Sequence, residues 1–174
     1  MRSAKGQFIV EGMIAMGIIV SSVLGIFSLA VSALRTSSVV TDQFIAANLA
    51  AEGLEVTKNI LDSNVVRGAA WNHDFSESKC FEVQYNAADI GNDLKPCDDE
   101  ERAFEKTRFL NIDNNNLYSY DSGEPTIFKR WIVITPISIY KIRATATVAW
   151  RDPRHPTTLS SSTIATDFVG WRAE

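Results

Sequence analysis

One carboxylate stands where water is scarce. Glu11 interrupts an apolar stretch that begins at Phe8, and behind it residues 12–34 run for 23 positions without a charge, up to Arg35. An ionised acid in hydrocarbon costs about 2.5–3.5 kcal/mol on insertion scales, which makes such a group a functional candidate by default. Two roles are open to it. It can meet a cation brought by another molecule, turning two desolvation penalties into one charge-assisted contact. Alternatively it caps the start of a membrane anchor, where the helix dipole favours an anion and the side chain reaches the interface.

The remaining chemistry-bearing residues carry less. Cys80 and Cys97 enclose 16 residues. In an oxidising compartment a bridge between them would stabilise by about 3 kcal/mol through loop closure, and in a reducing one they stay thiols. A metal site needs more ligands: His73 and His155 are distant in sequence, no CxxC or HExxH occurs, and two cysteines make no tetrahedral centre. DNNNLYSYD at 113–121 is oxygen-rich enough for calcium but lacks the glycine and terminal glutamate spacing of an EF-hand loop, so it reads as a solvated turn whose asparagines tolerate left-handed backbone. The acids at 98–101 read as a solvated face. Of the four tryptophans, Trp150 falls in strand phase and is expected in the core; Trp71 and Trp171, in irregular context, are the candidates for touching a partner. No phosphate loop, dinucleotide fingerprint or nucleophile elbow is present, so an enzyme is not expected and no cofactor is implied.

The element that must position Glu11 is a membrane-length helix. At 1.5 Å per residue, residues 12–34 reach about 35 Å against a hydrocarbon core of roughly 30 Å. Arg2 and Lys5 precede it, and by the positive-inside rule they favour a cytoplasmic N-terminus with everything after Arg35 outside. A secretory signal would have a shorter apolar core; the Ala-Val-Ser-Ala at 30–33 is the one feature that fits removal there.

The residues KGQFIVEGMIAMGIIV resemble the class III signal of type IV prepilins, a short basic leader ending in glycine followed by an apolar helix with glutamate at its fifth position. The resemblance implies that a prepilin peptidase cuts between Gly6 and Gln7, that residues 1–6 leave, and that Glu11 becomes the fifth residue of the mature chain. It further implies that Glu11 sets subunit register against the freed amino terminus of a neighbour. The family usually begins with phenylalanine, whereas this chain has Gln7 and then Phe8, so processing is better supported than N-methylation of Gln7.

Beyond the apolar run the helix continues. No proline occurs between Leu34 and Asp62, and Ile45, Leu49, Val56 and Ile60 form a stripe at helical spacing. Residues 8–61 are expected as one helix of 54 residues, about 80 Å long. AANLAAEGLEVTKNILDSN at 46–64 resembles a block of modification-type minor pilins and presents a small-residue face of Ala46, Ala47, Ala50 and Ala51.

After Asp62 the text turns loop-like. Phe81, Val83 and Tyr85 alternate with Glu82 and Gln84 as a strand would, and 86–106 is polar enough to be an exposed excursion. Residues 125–140 read as strand with Pro136 at a bulge, edge or end. In 141–150, Ile142, Ala144, Ala146, Val148 and Trp150 share one face and Arg143, Thr145 and Thr147 the other. RDPRHP then turns into a strand at 157–169, making a C-terminal hairpin. The expected class is α+β, a long N-terminal helix on an antiparallel sheet. FKRWIVITPIS, KIRATATVAW and TDFVGW resemble the sheet of modification-type minor pilins, with 65–123 unmatched.

With 17 Lys+Arg against 21 Asp+Glu, a net charge of −4 and no basic cluster, nucleic acid is not an indicated partner. Hydrophobic content of 45% excludes a disordered chain, and one apolar segment excludes a multi-span protein. The expected organisation is a leader at 1–6, a membrane or filament-core helix at 7–34, its outer half at 35–62, and an extracytoplasmic head at 63–174 with a variable loop at 80–97. The resemblance implies a minor type IV pilin, held in the cytoplasmic membrane until processed and then part of a filament outside. Implied partners are prepilin peptidase, other pilin subunits, an inner-membrane assembly platform and, before assembly, lipid. Two alternatives stand beside it: a pseudopilin of a type II secretion system, and a signal-anchored extracytoplasmic binding protein or enzyme whose Glu11 is incidental.

Overall fold

A computed structural model describes residues 4–73, 75–86, 93–94, 99–153 and 156–170. The order of elements is α1 (Ala4–Val66), β1 (Lys79–Phe81), β2 (Asp93–Leu94), α2 (Glu100–Lys106), β3 (Phe109–Ile112), β4 (Tyr118–Ser119), β5 (Glu124–Ser138), β6 (Lys141–Arg151) and β7 (Leu159–Val169). The chain divides into two compact units, 1–42 and 43–174, and α1 contributes to both. The fold is α+β, as the helical period followed by alternating strands requires.

Helix α1 starts four residues before the expected Phe8 and ends five after the expected Leu61. Its end has a local cause. Gly68 adopts φ +75°, its N–H bonds the Val65 carbonyl at 3.1 Å, and Ala69 N–H bonds the Asn64 carbonyl at 3.0 Å. This pair of bonds is a Schellman cap, which a residue free of Cβ strain closes at least cost. The cap moves the boundary past Asn64, Val65 and Val66, which polarity alone had placed in a loop.

In unit 43–174, β5 and β6 form the centre of a seven-stranded antiparallel sheet. One edge of β5 pairs with β6 and the other with β1 and β3, while β6 pairs with β7 from Lys141↔Val169 to Arg151↔Leu159. The ladder shifts register between Pro136 and Ser138, so the proline sits at a bulge. On one sheet face, the α1 stripe of Leu49, Val56 and Ile60 is buried against Ile132, Ile134, Ile142, Ala144, Ala146, Val148 and Trp150. The alternation expected of β6 holds on this face. Of the four alanines expected to form a small-residue face, Ala46 and Ala50 are fully buried, whereas Ala51 is exposed.

The opposite face is not simply wet. Thr147 and Ala149 are buried, and Ala149 packs with Trp131, Cys80, Ala103 and Phe104 in a second apolar cluster. Helix α2 supplies Ala103 and Phe104, which corrects the reading of 86–106 as an exposed excursion. Asp99 caps α2 by accepting from Glu101 N–H at 3.0 Å, so part of the acidic run is a helix start. Lys129 is buried beneath that helix. Its ammonium donates to the Phe104 carbonyl at 2.8 Å and stands 4.6 and 4.3 Å from the rings of Phe104 and Phe109. Burial, then the nearby Arg151 charge, lowers its pKa from the ordinary lysine value.

Two further charges are buried in the head, and the first joins helix to sheet. Arg130, on β5, is 0% exposed; its guanidinium donates to the Leu49 carbonyl at 2.8 Å and the Val83 carbonyl at 2.6 Å, and Nη1 lies 3.2 Å from Glu52 Oε1. Gly53 makes room for it, because a Cβ there would stand 2.8 Å from Ile132 Cδ1 and 3.1 Å from Arg130 Cδ. Glu82 is 2% exposed, the opposite of the outward position that alternation predicts. Arg108 takes both its oxygens, the backbone N–H at 2.7 Å and Nε at 2.8 Å, which satisfies a buried carboxylate that the period-two pattern could not foresee. The alternating run also stops early, since β1 ends at Phe81 and Tyr85 is exposed.

Candidate functional site

The described part of unit 1–42 is helix α1, and almost all of its side chains are exposed. Phe8, Ile9, Met13, Ile18, Leu24 and Phe27 are among the large apolar residues open to the surroundings, each 62% exposed or more. Monomeric soluble proteins rarely expose contiguous apolar patches beyond a few hundred Å², so this surface must be covered by lipid or by protein. The helix is long and apolar enough to cross a membrane, with none of its most apolar window buried.

Its polar interruptions are of two kinds. Ser21 and Ser22 turn their hydroxyls back to the carbonyls of Gly17 and Ile18, both at 2.8 Å, so neither leaves a donor facing hydrocarbon. Glu11 has no such local outlet; it is exposed on α1 and makes no hydrogen bond or ion pair among the described residues. Gly6 and Gln7 lie in the opening turn of the same helix. The first four N–H groups of any helix lack intrahelical acceptors, so this turn opens at small cost. From Gln7 to Glu11 is four residues, about 6 Å along the axis.

Three glycines complete the surface. A Cβ on Gly12, Gly17 or Gly25 would meet nothing within 4 Å, and none has positive φ, so nothing in the chain requires glycine there. Each costs a helix in water about 1 kcal/mol relative to alanine. What glycine offers is close backbone approach for a second helix.

The other candidate residues lie in unit 43–174 or outside the described residues. Cys80 is buried and disulfide-bonded; Cys97, the only other cysteine in the chain, lies outside the described residues. His155, Asp98 and Trp171 also lie outside them. His73 is exposed, and among the described residues no three His, Cys, Asp or Glu side chains converge on a point where a metal ion could sit. Asp113 spends its carboxylate on its own turn, accepting from Asn115 N–H at 2.8 Å and Leu117 N–H at 2.9 Å, with Asn116 left-handed at φ 62°. The Leu117 bond foremost holds its pKa below the usual carboxylate value. Glu101 lies 3.6 Å from Arg151.

Trp71 corrects an expectation. It is buried, its indole N–H donates to the Ile139 carbonyl at 3.3 Å, and its ring lies against Gly170, whose N–H bonds the Tyr140 carbonyl at 2.8 Å. The ring thus ties the segment after α1 to the β5–β6 turn and the end of β7. It also walls a cleft of about 290 Å³ between the last turns of α1 and β7. Beside the cleft Asp167 receives Arg143 at 2.7 Å and Lys141 at 2.8 Å, and these hydrogen bonds, Arg143 first, hold its carboxyl well below the usual range.

Sequence reasoning missed Arg130, Gly53, Gly170 and the cleft. A lone arginine inside a run of strand residues and a glycine inside a helical stripe were the available signals, since each breaks its local pattern without a turn to explain it. No protein-family model, curated protein or solved structure matches this chain, so its function rests on the residues themselves.

Proposed function

We propose that this chain is a minor type IV pilin, a structural subunit and not an enzyme, anchored in the cytoplasmic membrane by α1 and then packed through that helix into a filament. The observation that carries the reading is the pairing of an uncovered apolar helix with one unpartnered acid, Glu11, five positions into the segment that begins at Gln7. Lipid alone would cover the apolar surface and leave the carboxylate at the interface, but it gives the glycines at 12, 17 and 25 no reason to be there. A bundle of like helices gives them one, and gives the carboxylate a partner. Small residues allow the backbones to approach, and Glu11 of one subunit meets the α-ammonium of Gln7 in another, fixing the axial offset. The long helix on an antiparallel sheet is the layout such a subunit needs, with a covered stripe on 43–66 and a bare one before it. Pseudopilins of a type II secretion system have the same requirements and fall within this reading.

Co-expression with a prepilin peptidase tests it. Intact mass is expected to show a mature chain that has lost residues 1–6 and starts at Gln7. A chain of full length, or one cut near Ala33 as a secreted protein would be, refutes the proposal. Glu11→Ala is expected to leave insertion and cleavage unchanged and to lower incorporation into filaments, measured as the sheared fraction relative to the membrane fraction; equal incorporation refutes the pairing.

A further inference from the structure

The outer edge of β7 is open. Among the described residues no strand pairs with it, whereas the far side of the sheet is broken into strands of two to four residues. Which backbone groups face outward follows from the ladder. Gly170 N–H bonds the Tyr140 carbonyl, so 140 and 170 occupy a hydrogen-bonded position, and antiparallel pairing alternates from there along the β6–β7 register. Phe168, Thr166, Ile164, Ser162 and Ser160 spend their backbone groups on β6. Leu159, Ser161, Thr163, Ala165, Asp167 and Val169 point theirs away from the sheet. The 3.1 Å contact between the hydroxyls of Thr147 and Thr163 agrees, since side chains approach closest in the non-hydrogen-bonded pairs.

Proteins commonly blunt such an edge with lysine, proline, a bulge or inward charge. Residues 159–169 contain no lysine, arginine or proline and pair with β6 without a bulge. Their single charge, Asp167, is already neutralised by Lys141 and Arg143. On the α1 side of this strand Ile164 and Phe168 are only half-buried, covered from one flank and bare on the other. There the cleft walled by Trp71 and Leu61 opens, with Lys58 and Asp62 at its rim. At about 290 Å³ it sits at the bottom of the roughly 300–1,000 Å³ range of small-molecule pockets, the size for one large side chain.

From these observations we infer that β7 is a strand-addition site for an extended, proline-free segment of a different polypeptide. The incoming strand pairs with these outward residues through its main chain and places one aromatic or large aliphatic side chain in the Trp71 cleft. Main-chain bonds supply the affinity and the cleft the selection, the division of labour found in β-augmentation. An uncharged, alternating segment suits an edge whose only charge is spent. The inference stands apart from the pilin reading, because it involves neither α1 before residue 43 nor processing.

The test uses the full chain in detergent micelles and a short synthetic peptide of alternating threonine and valine with one central phenylalanine. Backbone amide exchange is read residue by residue. In the free chain the amides of 161, 163, 165, 167 and 169 are expected to exchange fast and those of 160, 162, 164, 166 and 168 slowly. The peptide should slow the first set by about tenfold or more, equivalent to ~1.4 kcal/mol of protection. The same peptide N-methylated at alternate residues, which cannot pair, should slow none of them. Ala165→Pro removes an outward N–H without touching the β6 ladder and should abolish the effect; Ala165→Lys, which keeps the backbone intact, should weaken it. Overturning results are outward amides already slow in the free chain, equal slowing by the N-methylated peptide, no slowing by either, or slowing that rises with protein concentration alone, which would make the occupant a second copy of this chain.

Discussion

Replacing Gly170 with alanine tests how the head closes. Gly170 does not have positive φ, so the backbone accepts alanine without strain. The obstacle is the Trp71 indole, because the new Cβ would fall inside the space its Cε2, Nε1 and Cδ2 atoms occupy. A rigid ring held by the Ile139 carbonyl cannot flex aside as the tip of a chain would; it must move as a unit. Losing that hydrogen bond costs about 0.5–1.5 kcal/mol. A tryptophan buries about 150–250 Å², and lifting a quarter of that from the core costs a further ~1.3 kcal/mol at about 25 cal/mol per Å². The expected destabilisation is about 2–3 kcal/mol, which for a head of this size lowers the thermal midpoint by roughly 10 °C. Thermal unfolding of the full chain in micelles, followed by near-ultraviolet circular dichroism, measures it. In a Trp71→Leu background the same substitution should cost little, below about 0.5 kcal/mol, since the ring it displaces is gone. An equal cost in both backgrounds would show that Gly170 acts through something other than Trp71 and would refute the account.

Two further perturbations bear on the charges of the head. Arg130→Ala removes the group that joins the Leu49 and Val83 carbonyls and leaves a void beneath Gly53, with an expected cost of about 3–5 kcal/mol by denaturant unfolding; a cost under 1 kcal/mol would show that the clamp is not what holds helix to sheet. Asp167 has a folded-state pKa depressed by Arg143 and Lys141, so its contribution to stability is present above about pH 4 and is lost as pH falls through its folded value. Asp167→Asn should therefore lower stability at neutral pH, change it little below the folded value and so flatten the acid limb of the stability profile, and an unchanged limb would exclude this carboxylate as its source.

Local periodicity reached far into this molecule. The stripe of Leu49, Val56 and Ile60 and the alternation from Ile142 to Trp150 each matched the packing, because one buried face leaves a regular trace in the order of residues. The proline at the β5 bulge, the β6–β7 hairpin and the Asp113 turn were legible for the same reason, as short-range stereochemistry. Glu82 was not, since nothing near it in sequence announces Arg108, 26 residues away and able to make burial tolerable. Helix α2 was hidden by its charges: two apolar residues, Ala103 and Phe104, cover the second sheet face while the rest of the helix stays polar.

The amino-acid order by itself determined the uncharged span of 12–34, the solitary Glu11 before it and the α+β succession of elements, all of which are set by neighbours a few positions apart. Only the tertiary structure decided which charges could be buried, that Arg130 would need Gly53, that Trp71 would close on Gly170, and that β7 would lie outermost among the described strands. Those outcomes depend on groups tens of residues apart meeting at van der Waals or hydrogen-bond distance. No one-dimensional pattern records such meetings, because their energy exists only once the chain has brought the partners together.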